Sequence, residues 1–294
     1  MDIPKILPPS DDGVFKTLMT HPDATAVLID LISAVLDLRV VGVTVRNNEL
    51  PVDDIDDKQE RFDVNCELDT GEQVIIEMQA RAVDGDSFDN DHRGIKVRST
   101  YYLCDVHSSQ PLKGVPYVDM VKSYQITFCG YTVFKGREAF TNKFTLKNDK
   151  GEELTDAITA VFVELSKLGD IVKKPVSEMT ATEMWSVFLR YANDQKHQDV
   201  IQAINKSREG ISMATQILTN ISTNADERAR FQARKKWQHD YENGMIMSSR
   251  RGKAELFASL LKRDMDKNSI RELFPDIAAD EFNKAYALAE QLLG

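Results

Sequence analysis

The order of hydrophobic patterns predicts an α/β protein: helix, strands, helix, strand, then helices to the C-terminus. Three observations carry this. Val27, Leu28, Leu31, Ile32, Val35 and Leu36 recur at helical spacing. Residues 61–79 alternate polar and apolar on either side of a glycine-containing turn. Beyond Lys150 almost every stretch has the helix period. At 294 residues, 42% hydrophobic and 29% charged, the chain suits one large or two modest domains, which excludes a disordered chain, a collagen-like repeat and a disulfide miniprotein.

The elements follow in order. Residues 1–10 read as an extended arm, without the basic region and apolar block of a signal peptide. Asp11 or Asp12 caps a helical turn from Val14 to Met19, and Pro22, after the cap candidates Thr20 and His21, opens an amphipathic helix over 22–37. Residues 40–45, β-branched, read as a strand, followed by an acidic loop with Asp53, Asp54, Asp56 and Asp57. Two strands, 61–68 and 72–79, flank a turn. Residues 95–106 are more helical than extended, 124–134 look like a buried strand with an interior glycine, and 144–146 form another. Helices are expected at 154–168, 180–192, 196–220, 224–243, 252–265, 268–274 and 279–292, with Ser269 or Asn268 as an N-cap and a turn at 274–276. The expected division is an arm (1–10), an α/β core (11–148), a helical region (149–250) and a small helical segment (251–294) for oligomerisation or DNA contact.

Several classes of function are excluded. No stretch approaches the roughly 18 apolar residues of a membrane helix, so no membrane partner is expected. Cys66, Cys104 and Cys129 are far apart and form no C-x-x-C pair, which suits reduced thiols in a cytoplasm rather than a zinc cluster. The five histidines show no ligand spacing. Walker A, G-x-G-x-x-G, G-x-S-x-G and H-E-x-x-H motifs are missing, so nucleotide and serine hydrolysis have no support.

The most informative segment is 61–79. Asp69-Thr70-Gly71 is a three-residue hairpin loop with glycine where φ must be positive. Centred on Thr70, the register sets Leu68 opposite Glu72, Cys66 opposite Val74 and Asp63 opposite Glu77. Alternation puts Phe62, Val64, Cys66, Leu68, Val74, Ile76 and Met78 on one face, and Asp63, Asn65, Glu67, Gln73, Ile75, Glu77 and Gln79 on the other. A polar face in water is the ordinary reading of such a hairpin. Yet opposed carboxylates are destabilising, and two of them can chelate a hard cation such as Mg²⁺. Gln79 points to the same side and can orient a water or a phosphate.

Taken with Asp12-Gly13-Val14-Phe15-Lys16, Lys58-x4-Asp63-Val64, Gly71-x5-Glu77-Met78-Gln79, Arg98-x2-Tyr101 and Gly114-x2-Tyr117, the chain resembles the Rpn family of recombination-promoting nucleases, also called PD-(D/E)XK nuclease family transposases. The resemblance covers residues 11–135 well and the helical remainder loosely. It implies a restriction-endonuclease-like core, a mixed sheet flanked by helices, followed by an all-helical C-terminal region. It further implies Asp63 and Glu77 as metal-binding carboxylates holding Mg²⁺, with Mn²⁺ as an alternative, and Gln79 in the place of a lysine. Glutamine cannot carry that lysine's charge, so the metal would do most of the charge stabilisation. Asp12 and Lys16, four apart on a helix, can pair or act as a cap and a solvated lysine. The resemblance implies an active-site edge instead, with Lys16 supplying the missing positive charge. Arg98 and Tyr101 read either as a packed helix face or as contacts to a phosphate.

The implied activity is metal-dependent hydrolysis of DNA phosphodiester bonds by a cytoplasmic endonuclease, in recombination, mobile-element or defence biology. A homodimer or higher oligomer is expected. Residues 53–91 hold 14 acids and three bases, which repel a phosphate backbone, whereas 221–263 hold ten bases and five acids. Arg234, Lys235 and Lys236 in that basic section are the candidate phosphate contacts. The rival reading is a catalytically silent nuclease fold kept as a DNA-binding or protein-interaction module, with Gln79 marking lost chemistry.

Overall fold

The computed structural model describes residues 6–46, 64–81, 92–110 and 116–293. Asp63, the acidic loop, Lys58, Gly114 and the first five residues of the arm lie outside the described residues. The chain divides into two units, Met1–Arg228 and Ala229–Gly294.

In the first unit, α1 (Asp12–Met19) starts where the Asp11 side chain accepts the Val14 N–H, and it buries Val14, Phe15, Leu18 and Met19. Helix α2 (Thr25–Leu36) buries the predicted stripe of Val27, Leu28, Leu31, Ile32 and Leu36. It begins later than Pro22 because residues 21–24 form a turn, in which the Ala24 N–H donates to the His21 carbonyl at 2.9 Å. Strand β1 is only Val43–Val45. The preceding N–H groups are diverted, that of Val40 to Ser33 Oγ (3.3 Å) and that of Gly42 to Asp69 Oδ1 (3.0 Å), so ladder pairing starts late.

Strands β2 (Val64–Leu68) and β3 (Gln73–Gln79) form the predicted hairpin, with Cys66 opposite Val74 and Val64 opposite Ile76. Gly71 has φ +89° in the turn, where an L side chain is strained. Helix α3 (Arg93–Ser108) lies between β3 and β4 (Ser123–Cys129) in the chain, and these two strands run parallel. Strands β5 (Thr141–Lys147) and β6 (Glu153–Glu164) complete a mixed six-stranded sheet of order β1-β2-β3-β4-β6-β5.

Strand β6 corrects the helix expected at 154–168. Leu154, Ile158, Val161 and Leu165 do have helical spacing. The β-branched Thr155, Ile158, Thr159, Val161 and Val163 instead suit a strand, and β6 pairs with β4 on one side and β5 on the other. The expected core boundary at 148 therefore falls in the turn between β5 and β6, where Gly151 has φ +83°.

The remaining first-unit helices are α4 (Ala181–Tyr191), α5 (Gln198–Ser207) and α6 (Glu209–Thr223). The single helix expected over 196–220 is broken at Arg208, whose backbone is extended and whose Nε donates to Asp30 Oδ2 at 2.7 Å. The same oxygen accepts the Trp185 Nε1–H at 2.8 Å, tying α2, α4 and the α5–α6 junction together.

Helix α7 (Ala225–Leu261) joins two expected helices, since Gly244 and Gly252 lower helix propensity without removing a donor. Helices α8 (Lys267–Leu273) and α9 (Ala279–Gln291) follow, with Asp266 rather than Ser269 or Asn268 as the α8 N-cap. The second unit has its own core of Ala254, Phe257, Ile270, Phe282, Ala285 and Ala289. Among the described residues no helix is long and apolar enough to cross a membrane.

The sheet has two unlike faces. Register puts Val64, Cys66, Val74, Ile76, Met78, Ile126 and Phe128 on one, all buried, with the Phe15 ring 6.0 Å from that of Phe128. The other carries Glu77, Gln125, Thr127, Cys129 and Phe162 and packs against α3, whose Ile95 joins Cys129 and Phe162 in one cluster.

Candidate active site at the ends of β3 and β4

Glu77 lies on the α3-covered face and is 3% exposed. The polar side of the hairpin is thus not a solvated surface at this point. Gln79, two residues on, shares the face and is half-buried. In the parallel register Glu77 neighbours Thr127, and Gln79 neighbours Cys129, which in turn neighbours Glu164 on β6. Asp63 directly precedes Val64 in the chain and lies outside the described residues.

The strand ends are held close. The Gly130 N–H donates to the Gln79 carbonyl at 2.8 Å, and a Cβ at Gly130 would lie 2.3 Å from the Ala80 carbonyl oxygen. This is the interior glycine of the sequence pattern, required by close backbone approach. Just past Gln79, the Ala80 N–H donates to Asp12 Oδ1 at 3.0 Å, which brings the N-terminal end of α1 to the end of β3. Burial raises the Asp12 carboxyl above the usual range although its outer edge is exposed, and the hydrogen bond from Ala80 works against the rise. No ion pair joins Asp12 to Lys16 among the described residues, and Lys16 is half-buried one turn further along α1.

Arg98 comes from α3, one turn after Ile95. Burial pushes the Cys129 thiol well up, Glu164 and Glu77 push it further, and Arg98 opposes them. Arg98 and Glu77 thus both act electrostatically on the Cys129 thiol. Arg98 Nε and Nη2 are buried without a hydrogen-bond partner among the described residues, as are Ser99 Oγ and Gln125 Oε1. Tyr101 is 57% exposed, with its ring 5.9 Å from that of Tyr102, so it lines the outer side of α3. Arg234, Lys235 and Lys236 are exposed on α7 in the second unit, where Lys235 Nζ sits 5.3 Å from the Phe231 ring centre.

Glu164 escaped the sequence reading because its stretch has helical spacing. Its buried carboxylate accepts from Val133 N (2.7 Å), Phe134 N (3.0 Å), Asn142 Nδ2 (3.1 Å) and Lys167 Nζ (2.6 Å). So well-supplied a carboxylate anchors the loop after β4. Cys129 was legible only as a thiol, since its place beside Gln79 depends on the long-range β3–β4 register.

Among the described residues no group of three or more His, Cys, Asp or Glu could hold a metal ion. What the arrangement offers is an oxygen donor at Glu77, an amide at Gln79 and a guanidinium at Arg98. One or two carboxylates with waters is the donor set Mg²⁺ favours. A protein-family model described as PD-(D/E)XK nuclease family transposase matches residues 9–247. No curated protein and no solved structure matches the chain.

Proposed function

Because the chain belongs to the PD-(D/E)XK nuclease family transposases, we propose that it is a metal-dependent endonuclease that hydrolyses DNA phosphodiester bonds at the end of β3. The observation that carries this reading is Glu77, a carboxylate buried on the polar face of the sheet, two residues from Gln79 and on the face covered by α3, the helix that bears Arg98. A carboxylate buried within a polar layer of the sheet is the kind of position where pKa values and metal affinity are tuned, which makes it a candidate for chemistry.

Asp63 and Glu77 would hold the metal, Mg²⁺ or Mn²⁺. When bound, it supplies Lewis-acid polarisation of the phosphate and lowers the pKa of a coordinated water. Gln79 orients the attacking water through its amide, with no charge of its own. Asp12 shapes the edge of the site at Ala80, and Lys16 and Tyr101 contact DNA beyond the cleaved bond. Hydrolysis forms a bond from water oxygen to phosphorus, breaks the bond to one ester oxygen and leaves the proton on that oxygen. Arg234, Lys235 and Lys236 neutralise phosphates without reading sequence. The biological setting is recombination, mobile-element movement or defence, and the working form is an oligomer.

Cleavage of supercoiled plasmid with Mg²⁺, Mn²⁺, Ca²⁺ or EDTA tests the reading, alongside Asp63→Ala and Glu77→Ala. Metal-dependent nicking lost in both variants is expected. No cleavage with any metal would overturn the proposal in favour of a silent DNA-binding module, the reading that Gln79 itself favours. Cleavage surviving both substitutions would reject this site.

A further inference from the structure

The E-x-Q pair at Glu77 and Gln79 lacks a cation, and the structure offers two candidates for one. Lys16 is on α1, one turn on from Asp12, whose carboxylate accepts from the Ala80 N–H. Arg98 is on α3, directly over the polar face, one turn from Ile95, which packs on Cys129. The two nitrogens of Arg98 without partners among the described residues are Nε and Nη2. These are not an arbitrary pair. They are the parallel donors along one edge of the guanidinium, the fork that grips two oxygens of a carboxylate or phosphate.

The same molecule displays this fork in use. Arg250 Nε donates to Glu281 Oε1 at 3.3 Å, and Arg250 Nη2 to Glu281 Oε2 at 2.9 Å. Arg208 likewise spends its Nε on Asp30. Among the described residues the equivalent edge of Arg98 is buried and has no hydrogen-bond partner, on the helix that covers the sheet face carrying Glu77. An arginine needed only for packing would have its fork satisfied or in water, because leaving a buried donor unpaired is costly.

Resting on the nuclease reading above, we infer that Arg98, rather than Gln79 or Lys16, supplies the positive charge of the site, its Nε–Nη2 edge holding two non-bridging oxygens of the phosphodiester being cut. A guanidinium offers donors only, so it stabilises charge without accepting a proton. The water proton goes elsewhere, which leaves Gln79 free to act as a neutral hydrogen-bonding partner. The site thus takes the oxygens of a phosphodiester in the plane of the fork.

The test compares single-turnover plasmid cleavage by the full chain with that of Arg98→Ala, Arg98→Lys, Gln79→Lys and the double variant Arg98→Ala/Gln79→Lys. Duplex binding in Ca²⁺ and thermal melting are recorded for each. The Arg98 Nε–H resonance is followed by NMR in Glu77→Ala as a short duplex is added. Arg98→Ala is expected to slow cleavage about a hundredfold or more, the usual effect of removing one transition-state donor, with Ca²⁺-supported binding weakened less than tenfold. Gln79→Lys is expected to restore at least tenfold in the Arg98→Ala background, which a merely structural role of Arg98 would not permit. The Nε–H resonance is expected to shift with duplex.

Cleavage by Arg98→Ala within threefold of the parent overturns the inference, as does a loss that Gln79→Lys leaves unrescued or an unmoved resonance. In each case the nuclease reading stands if Glu77→Ala is inactive. A parent protein that cuts with no metal removes both.

Discussion

Replacing Gly130 with alanine strikes the point where β3 and β4 finish. The added Cβ would meet the Ala80 carbonyl oxygen at 2.3 Å, its carbon at 3.0 Å and its Cα at 3.3 Å. Since real Cβ atoms essentially never approach below 3.0 Å, the two backbones must separate by about 0.7 Å. Backbone atoms cannot swing away as a flexible side chain would. The separation also weakens the 2.8 Å hydrogen bond from Gly130 to Gln79. Overpacking costs about 1–3 kcal/mol and the strained bond about 1 kcal/mol more, roughly 2–4 kcal/mol together. For a unit of this size that lowers the melting temperature by roughly 4–16 °C. Because Gln79 and Asp12 are both attached at Ala80, a shift approaching 1 Å should slow cleavage about a hundredfold. Differential scanning calorimetry and the plasmid assay on Gly130→Ala measure both effects, with Gly169→Ala, which meets nothing within 4 Å, as the reference. A Gly130→Ala protein that melts within about 1 °C of the parent would refute the reasoning.

Asp30→Ala should destabilise the first unit by about 2–3 kcal/mol in denaturant titrations, because it strips a shared acceptor from Trp185 and Arg208, both held within 2.8 Å. Glu183 is raised by burial but lowered more strongly by Lys174 and the Thr180 backbone, so its carboxyl sits below the usual range. Its stabilisation is present above the unfolded value of 4.5 and is lost as pH falls through the lower folded value. Glu183→Gln should therefore melt about 1 kcal/mol less stably at pH 7, with the gap closing towards pH 3. The triple change Arg234→Ala, Lys235→Ala, Lys236→Ala should flatten the plot of log DNA affinity against log salt by about 2–3, measured by fluorescence anisotropy. An unchanged slope would show that these side chains touch no phosphate.

The hairpin was legible because two local rules agree on it: alternation assigns the faces, and Gly71 fixes the loop and hence the register. The first helices were legible for a similar reason, their apolar stripes being also their buried ones. Strand β6 was not, because Leu154, Ile158, Val161 and Leu165 satisfy the helix period, while what makes it a strand is pairing with β5 on one side and, on the other, with β4 more than 30 residues upstream. The same limit governs the site. Glu77 and Gln79 announce themselves by spacing, but the neighbours that give them meaning, Cys129, Glu164 and the fork of Arg98, arrive through parallel pairing and the packing of α3. Parallel partners have no short turn to betray them. The break at Arg208 was invisible for a related reason, since its cause is Asp30, 178 residues away.

The contrast between the two faces of the sheet has a consequence for anyone who would engineer this protein. The apolar face is already well filled. The layer between the other face and α3 holds Gln125, Thr127 and Glu77 of the sheet and Ser99 of the helix away from water, where apolar residues of like size would suit the fold better. A directed-evolution screen that rewards heat resistance alone will find its easiest gains there, exchanging the polar layer for valine and leucine. Each gain would erase part of the site. Thermostable descendants should be sought on the opposite face and in the second unit, and an ancestor-to-descendant series that keeps the polar layer intact would be recording selection for chemistry rather than for endurance.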